Sequence, residues 1–156
     1  MVKRKVTVTE DDELFVRKSK FVSTSTKKTI EIHQLIKDIE DKDNKMKGIS
    51  TPRFKLAGVD FFIDVYPDSA ASSGFIGVFL NNFGKEDQMT SIAVKEASGK
   101  EGSWEMDKIE AGQGRGFAKF LSHENYRQYA QVHGDVLKLD VVVTVHTKAK
   151  SDVWAR

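Results

Sequence analysis

The chain has 156 residues, of which 25 are basic and 23 acidic, so its formal net charge is +2. A chain of this length buries roughly two thirds of its unfolded surface in one hydrophobic core, so one domain is expected and two full domains are not. It has no cysteine, which excludes a disulfide framework and a thiolate nucleophile, and we find neither a membrane-spanning run nor a secretory signal. We therefore expect an intracellular protein, cytoplasmic or nuclear.

The basic charge is concentrated at the N-terminus. Residues 1–28 hold eight basic and four acidic residues, whereas residues 29–156 hold 17 and 19. We interpret 1–28 as a basic extension with one possible strand at Lys5–Thr9, interrupted by acidic residues 10–13. A basic arm of this kind is either solvated or attracted to nucleic acid or anionic lipid.

Alternation of apolar and polar residues then predicts strands rather than helices. In the last segment, alternate residues share one face and predict a buried row: Leu137, Leu139, Val141, Val143 and Val145. Short strands without regular intervening helices favour an all-β, antiparallel sandwich over a parallel sheet. The predicted strands are Thr29–His33, Val59–Tyr66, Phe75–Leu80, Ser91–Val94 and Val136–Val145.

Two segments are ambiguous. Glu31–Lys47 has apolar residues at helix-compatible spacing, but we favour a strand followed by a long polar loop. Ser122–Arg127 fits one helical turn, with Ser122 capping the free amides at its start.

No catalytic constellation is evident, so we expect a protein that is not an enzyme and needs no cofactor or metal. The four histidines lie far apart, and no Gly-x-Ser-x-Gly turn is present. The serine-rich stretch Asp68–Gly74 is typical of a connection between strands. An enzymatic interpretation has only His123, Glu124, Asp68 and Ser69, which are not clustered in the sequence.

The glycines of Gly112–Phe117 permit three interpretations. Closely spaced glycines cradle phosphates in some proteins, but the full spacing and a following long helix are missing. An Arg-Gly contact to single-stranded nucleic acid is the second, with Phe117 and Phe120 as stacking faces. The third is a bent or bulged strand that binds no ligand.

Four segments, taken in order, resemble the MATH domain, the meprin and TRAF homology family. The similarity covers approximately Thr29 to Thr147 and leaves a C-terminal tail at 148–156. No single motif is diagnostic, but the ordered combination is fairly specific. The segments are Phe61–Pro67 (FFIDVYP), Phe75–Leu80 (FIGVFL), Gly114–His123 (GRGFAKFLSH) and Val136–Val145 (VLKLDVVVTV).

The resemblance implies an eight-stranded, TRAF-like sandwich that binds short extended peptides in a shallow groove without catalysing a reaction. Family members recruit serine- and threonine-rich segments to cullin ubiquitin ligases, or receptor tails to signalling adaptors. Carried over by position, the groove of this chain comprises Phe79, Thr90, Arg115, Gly116, Phe117 and Lys119.

This sequence departs from the family at two of these positions and at the neighbouring Gly114. Phe79 replaces a tyrosine, Arg115 stands where the family often has tryptophan, and Gly114 stands where an aspartate that orients the peptide is common. Phe79 and Phe117 belong either to the groove or to the core, while Phe120 and Tyr66 are assigned to the core.

The expected partners are short linear motifs in other proteins. Arg115 and Lys119 are either solvated charges or favour acidic or phosphorylated ligands through charge-assisted hydrogen bonds. Residues 1–28 lack sustained heptads, which predicts a monomer or weak dimer. We expect neither nucleic acid nor membrane as a partner, although nucleic-acid binding through the basic leader and the Gly-Arg-Gly-Phe segment is the alternative function.

Overall fold

The structure is a computed structural model that describes residues 6–10, 14–18, 21–41, 47–69 and 73–148, with backbone alone for 6–18. The described residues form eleven strands and two helices. The strands are β1 (Val6–Glu10), β2 (Leu14–Lys18), β3 (Phe21–His33), β4 (Ile49–Ser50), β5 (Phe54–Leu56), β6 (Val59–Tyr66), β7 (Phe75–Asn82), β8 (Gln88–Glu96), β9 (Glu101–Ile109), β10 (Gly114–Ser122) and β11 (Val136–Lys148). The helices are α1 (Leu35–Glu40) and α2 (His123–His133).

All strand pairs are antiparallel and form two sheets, as the all-β prediction requires. The six-stranded sheet has the order β1-β3-β11-β8-β9, with β2 also paired to β3. The five-stranded sheet has the order β10-β7-β6-β4, with β5 also paired to β6. Eight strands were predicted, and the eleven that are described include four short ones: β1, β2, β4 and β5.

The core lies between the two sheets and is built by alternation. The predicted row on β11 is confirmed, since all five of its members are at most 1% exposed. On the opposing sheet, β6 contributes Phe61, Ile63 and Val65, and β7 contributes Ile76, Val78 and Leu80. Phe120 is also buried, at 2% exposure, as predicted.

The two ambiguous segments both contain helices. The predicted strand ends at His33, but α1 then replaces the first part of the predicted polar loop. A residue distant in the sequence stabilises the start of α1: the carboxylate of Asp135 accepts a hydrogen bond from the amide of Ile36 at 3.2 Å. The preference for a loop over a helix was therefore wrong for Leu35–Glu40, while residues 42–46 lie outside the described part of the chain.

The predicted helical turn is a longer helix. Ser122 Oγ accepts the amide of Asn125 at 3.1 Å, so the predicted cap is confirmed. α2 continues for about three turns and ends at Gly134, whose φ of 95° suits glycine and whose amide bonds Ala130 O at 2.8 Å. Neither helix of the described residues is long and apolar enough to cross a membrane.

The segment interpreted as an extension is continuous with the sheet. β3 begins at Phe21 and pairs with β11 along its whole length, so the boundary predicted after residue 28 falls inside one strand. β1 and β2 pair with the other edge of β3, and β1 overlaps the strand predicted at Lys5–Thr9. Lys5 and residues 149–156 of the predicted tail lie outside the described residues.

Candidate functional site

The outer face of the five-stranded sheet carries aromatic side chains where an exposed sheet face ordinarily carries polar ones. They occupy the positions of β6 and β7 that alternate with the core residues, together with the residue that follows β7. All are half-buried or exposed. We call this set the aromatic face: Phe62, Tyr66, Phe75, Phe79 and Phe83.

The rings of the aromatic face form two pairs. Tyr66 and Phe79 meet edge to face, with centroids 5.5 Å apart and planes at 86°. Phe62 and Phe83 pack at 6.1 Å and 63°. Both geometries are favourable for aromatic quadrupoles, so the rings are fixed against one another while part of their area faces solvent.

A carboxylate lies between these two pairs. Asp64 occupies the outer face of β6 between Phe62 and Tyr66, and it accepts hydrogen bonds from Ser50 Oγ and from Asn81 Nδ2, the latter at 3.1 Å. Burial raises the pKa of Tyr66, and the charge of Asp64 and a hydrogen bond to it add to this rise. The Tyr66 hydroxyl therefore stays protonated at neutral pH, and the centre of the face holds an anchored anion.

Glycines on β10 keep the face shallow. Gly116 lies opposite Phe79, and a Cβ on it would stand 2.1 Å from Val78 O and 2.6 Å from Phe79 Cα. A Cβ on Gly114 would stand 2.4 Å from Asn81 Oδ1. The side chain of Phe79 thus lies close over Gly116 and that of Asn81 close over Gly114. An aromatic ring that covers a glycine of the neighbouring strand is a known stabilising arrangement in sheets.

A cation lies over an aromatic ring at each end of the face. The guanidinium carbon of Arg53 is 3.7 Å from the centroid of Phe83. At the other end, Lys119 Nζ is 5.9 Å from the centroid of Phe75. Each contact is a cation–π interaction, so each of these cations is held at the rim of the aromatic face.

Three of the six predicted groove residues lie at this face. Phe79 is a member of it and so a surface residue rather than a core one, Gly116 lies opposite Phe79, and Lys119 lies over Phe75. Arg115 and Phe117 lie on the opposite face of β10, because they are paired with the inward residues Leu80 and Val78.

Arg115 and Phe117 connect the two sheets. The ring of Phe117 lies 5.3 Å from Trp104 of β9 and 6.1 Å from Phe120. Arg115 lies over Trp104 at 5.1 Å and forms an ion pair with Asp107 at 3.0 Å. In the Gly-Arg-Gly-Phe segment, the ring of Phe117 thus packs between the sheets, while Arg115 forms a solvent-exposed ion pair with Asp107.

Thr90 does not lie on the aromatic face. It is fully buried on β8 of the other sheet. Its hydroxyl donates to Asp107 O at 3.0 Å and accepts from Trp104 Nε1 at 3.1 Å. Both of its hydrogen-bonding capacities therefore serve to fix β9.

Tyr66 was predicted as a core residue and instead lies on the aromatic face. The sequence held a signal for this, because Phe62 and Tyr66 are in phase with Asp64, while Phe61, Ile63 and Val65 form the apolar row. Phe75, Phe83 and Arg53 were also missed. Each lies near a strand end, where alternation is too short to assign a face.

Two of the four residues of the enzymatic interpretation, His123 and Asp68, have structural roles. His123 Nε2 donates to Pro67 O at 2.6 Å and is 3.9 Å from Asp68 Oδ1. Asp68 in turn accepts the amide of Gly74 at 3.0 Å, so these groups hold the β6–β7 connection against α2. Across the described ranges, no cluster of three or more potential metal ligands occurs.

No family model matches the chain, and no curated protein matches its sequence.

Proposed function

We propose that the protein is a noncatalytic interaction module of the MATH type that binds short extended peptides of partner proteins on the aromatic face. In this proposal it recruits a partner or substrate protein, as domains of ubiquitin-ligase and signalling adaptors do. The ordered resemblance over Thr29–Thr147 and the two antiparallel sheets support it.

The observation that carries the proposal is the aromatic face. Contiguous apolar patches on exposed surfaces are typical of binding sites, and aromatic residues dominate the energetics of such sites. Here the rings lie beside the half-buried carboxylate of Asp64 and two cations, a mixture that suits a peptide with both apolar and polar side chains.

The edge strand adds main-chain recognition to this surface. Within the described residues, β10 pairs with β7 alone, so its other edge faces away from the sheet. An extended peptide can pair with such an edge while its side chains contact the neighbouring face. Because an extended peptide is ordered on binding, we expect dissociation constants of about 1–100 μM.

Selection from a random twelve-residue peptide library, followed by fluorescence anisotropy on the selected peptides, tests the proposal. Phe79→Ser removes a ring from the centre of the face and should weaken binding roughly tenfold or more. Val142→Ser is the matched control, because Val142 is 36% exposed on the outer face of the other sheet. Circular dichroism establishes that both variants are folded.

Two outcomes contradict the proposal. One is a library from which no peptide binds the folded protein. The other is a set of peptides that bind wild type and Phe79→Ser equally, because the face would then contribute nothing to recognition.

A further inference from the structure

The charges of the aromatic face are arranged symmetrically along β7. Lys119 lies over Phe75 at one end and Arg53 lies over Phe83 at the other, with Asp64 between them. Asp60 also lies on the outer face of β6 at the Phe83 end, where it forms an ion pair with Lys55 at 3.3 Å. With that pair balanced, the face presents a net positive charge at both ends and negative charge at its centre.

Neither Arg53 nor Lys119 forms an ion pair with a carboxylate of the described residues. The ion pairs among those residues involve other side chains. Arg115, by contrast, is tied to Asp107 at 3.0 Å. The contacts that Arg53 and Lys119 do make, with aromatic rings, position them without cancelling their charge. Both therefore keep the capacity to bind an anion.

The separation of the two ends fits a short extended peptide. Phe75 and Phe83 are eight positions apart on or next to one strand, which corresponds to about 26 Å at the rise of a β-strand. A bound peptide in an extended conformation advances by the same amount per residue, so roughly eight of its residues span the two cations.

We propose that the aromatic face selects an extended peptide with an acidic side chain at each end, about eight residues apart, and no acidic side chain in between. The end carboxylates bind Lys119 and Arg53, apolar side chains contact the rings, and Asp64 repels a central acid while accepting a hydrogen bond from a central donor. This inference rests on the proposed function and specifies the partner class of the same site.

Three fluorescein-labelled peptides of twelve residues, of which the first two have identical composition, test the spacing and the sign of the charge. The first carries glutamates eight positions apart, and the second carries the same two glutamates together at its centre. The third differs from the first in having lysines for the two glutamates. Wild type should bind the first at least about tenfold more tightly than the other two, since two ion pairs form and a like-charge contact is avoided.

Charge-reversal variants assign the ends. Arg53→Glu and Lys119→Glu should each weaken the first peptide about fivefold, and the double variant should prefer the lysine peptide. Lys138→Glu is the control, because Lys138 is an exposed cation on the other sheet, and it should leave binding unchanged. Raising the salt concentration about tenfold, from 50 to 500 mM, should reduce the preference for the first peptide over the other two.

The failure of this inference is distinguishable from failure of the proposed function. Equal affinity for all three peptides, with binding still lost in Phe79→Ser, would overturn the charge pattern and retain the peptide site. Library peptides that bind independently of Phe79, or no binding peptide at all, would contradict both.

Discussion

Replacing Gly116 with alanine is expected to destabilise the protein strongly. The added Cβ would stand 2.1 Å from Val78 O and 2.6 Å from Phe79 Cα. Ordinary carbon–oxygen contacts are longer by about 1 Å, and both obstructing atoms belong to the backbone of β7. The strand pair must therefore separate, because no side-chain rotation relieves the overlap.

The expected cost is about 3 kcal/mol, at the upper end of the range for overpacking. For a chain of this size, that corresponds to a fall in melting temperature of about 6–12 °C. Thermal and urea unfolding followed by far-ultraviolet circular dichroism measures the change. The spectrum before unfolding distinguishes a destabilised fold from a lost one.

Gly102→Ala is the matched control. Gly102 also lies within a strand and has no positive φ, but its Cβ would meet the ring of Phe117 at 3.2 Å, which can shift by a few tenths of an ångström. We expect a change within about 0.5 kcal/mol. If Gly116→Ala is no more destabilising than this control, β10 does not approach β7 as described and the account of the shallow face is wrong.

Two further predictions concern groups away from the aromatic face. Tyr126→Phe should lower the free energy of unfolding by about 2 kcal/mol, because the buried hydroxyl donates to Asp135 at 2.7 Å and hydrogen bonds to charged acceptors are strong. Urea unfolding measures this loss, and a loss no larger than that of Tyr129→Phe would contradict the prediction. Burial lowers the pKa of His146 from its ordinary value of 6.5, with Glu105 opposing the shift, so the unfolded chain binds the proton more readily and stability should fall as pH drops below about 6.5. Melting curves between pH 7.5 and 5.5 should show a shallower decline for His146→Gln than for wild type, and an NMR titration midpoint for His146 above 6.5 would refute the sign.

Strands in which apolar and polar residues alternate strictly could be predicted from the sequence. The β6 bounds Val59–Tyr66 agree with the prediction. β11 extends the predicted segment by three polar residues, which lie beyond its apolar row and are in the strand because they pair with the start of β3. β9 was missed because it lacks such alternation. Met106 has a φ of 52° and the β8–β9 register shifts nearby, so the buried Trp104 and Ile109 are five positions apart and no period of two is visible.

Only part of the candidate site could be predicted from the sequence. Gly116 and Phe79 follow from position in the resembling segments, whereas Arg53 reaches the face from a connection whose path no local pattern predicts. The Gly112–Phe117 segment contains a strand from Gly114 onward, in regular register with β7 as far as Phe117, and the irregularity lies just beyond it, between Phe117 and Leu121. Which face Phe117 takes depends on its pairing with Val78, and pairing is a tertiary property that composition does not encode.

The position of β11 has a consequence for the order of folding. It is the last described strand in the chain, yet it lies between β3 and β8 and joins Phe21 to Lys148. Closing so long a loop costs entropy before its contacts form, which slows folding. During synthesis, the edges of β3 and β8 that pair with β11 keep their backbone N–H and C=O groups unpaired until β11 leaves the ribosome. Truncation within β11 would make that aggregation-prone intermediate permanent.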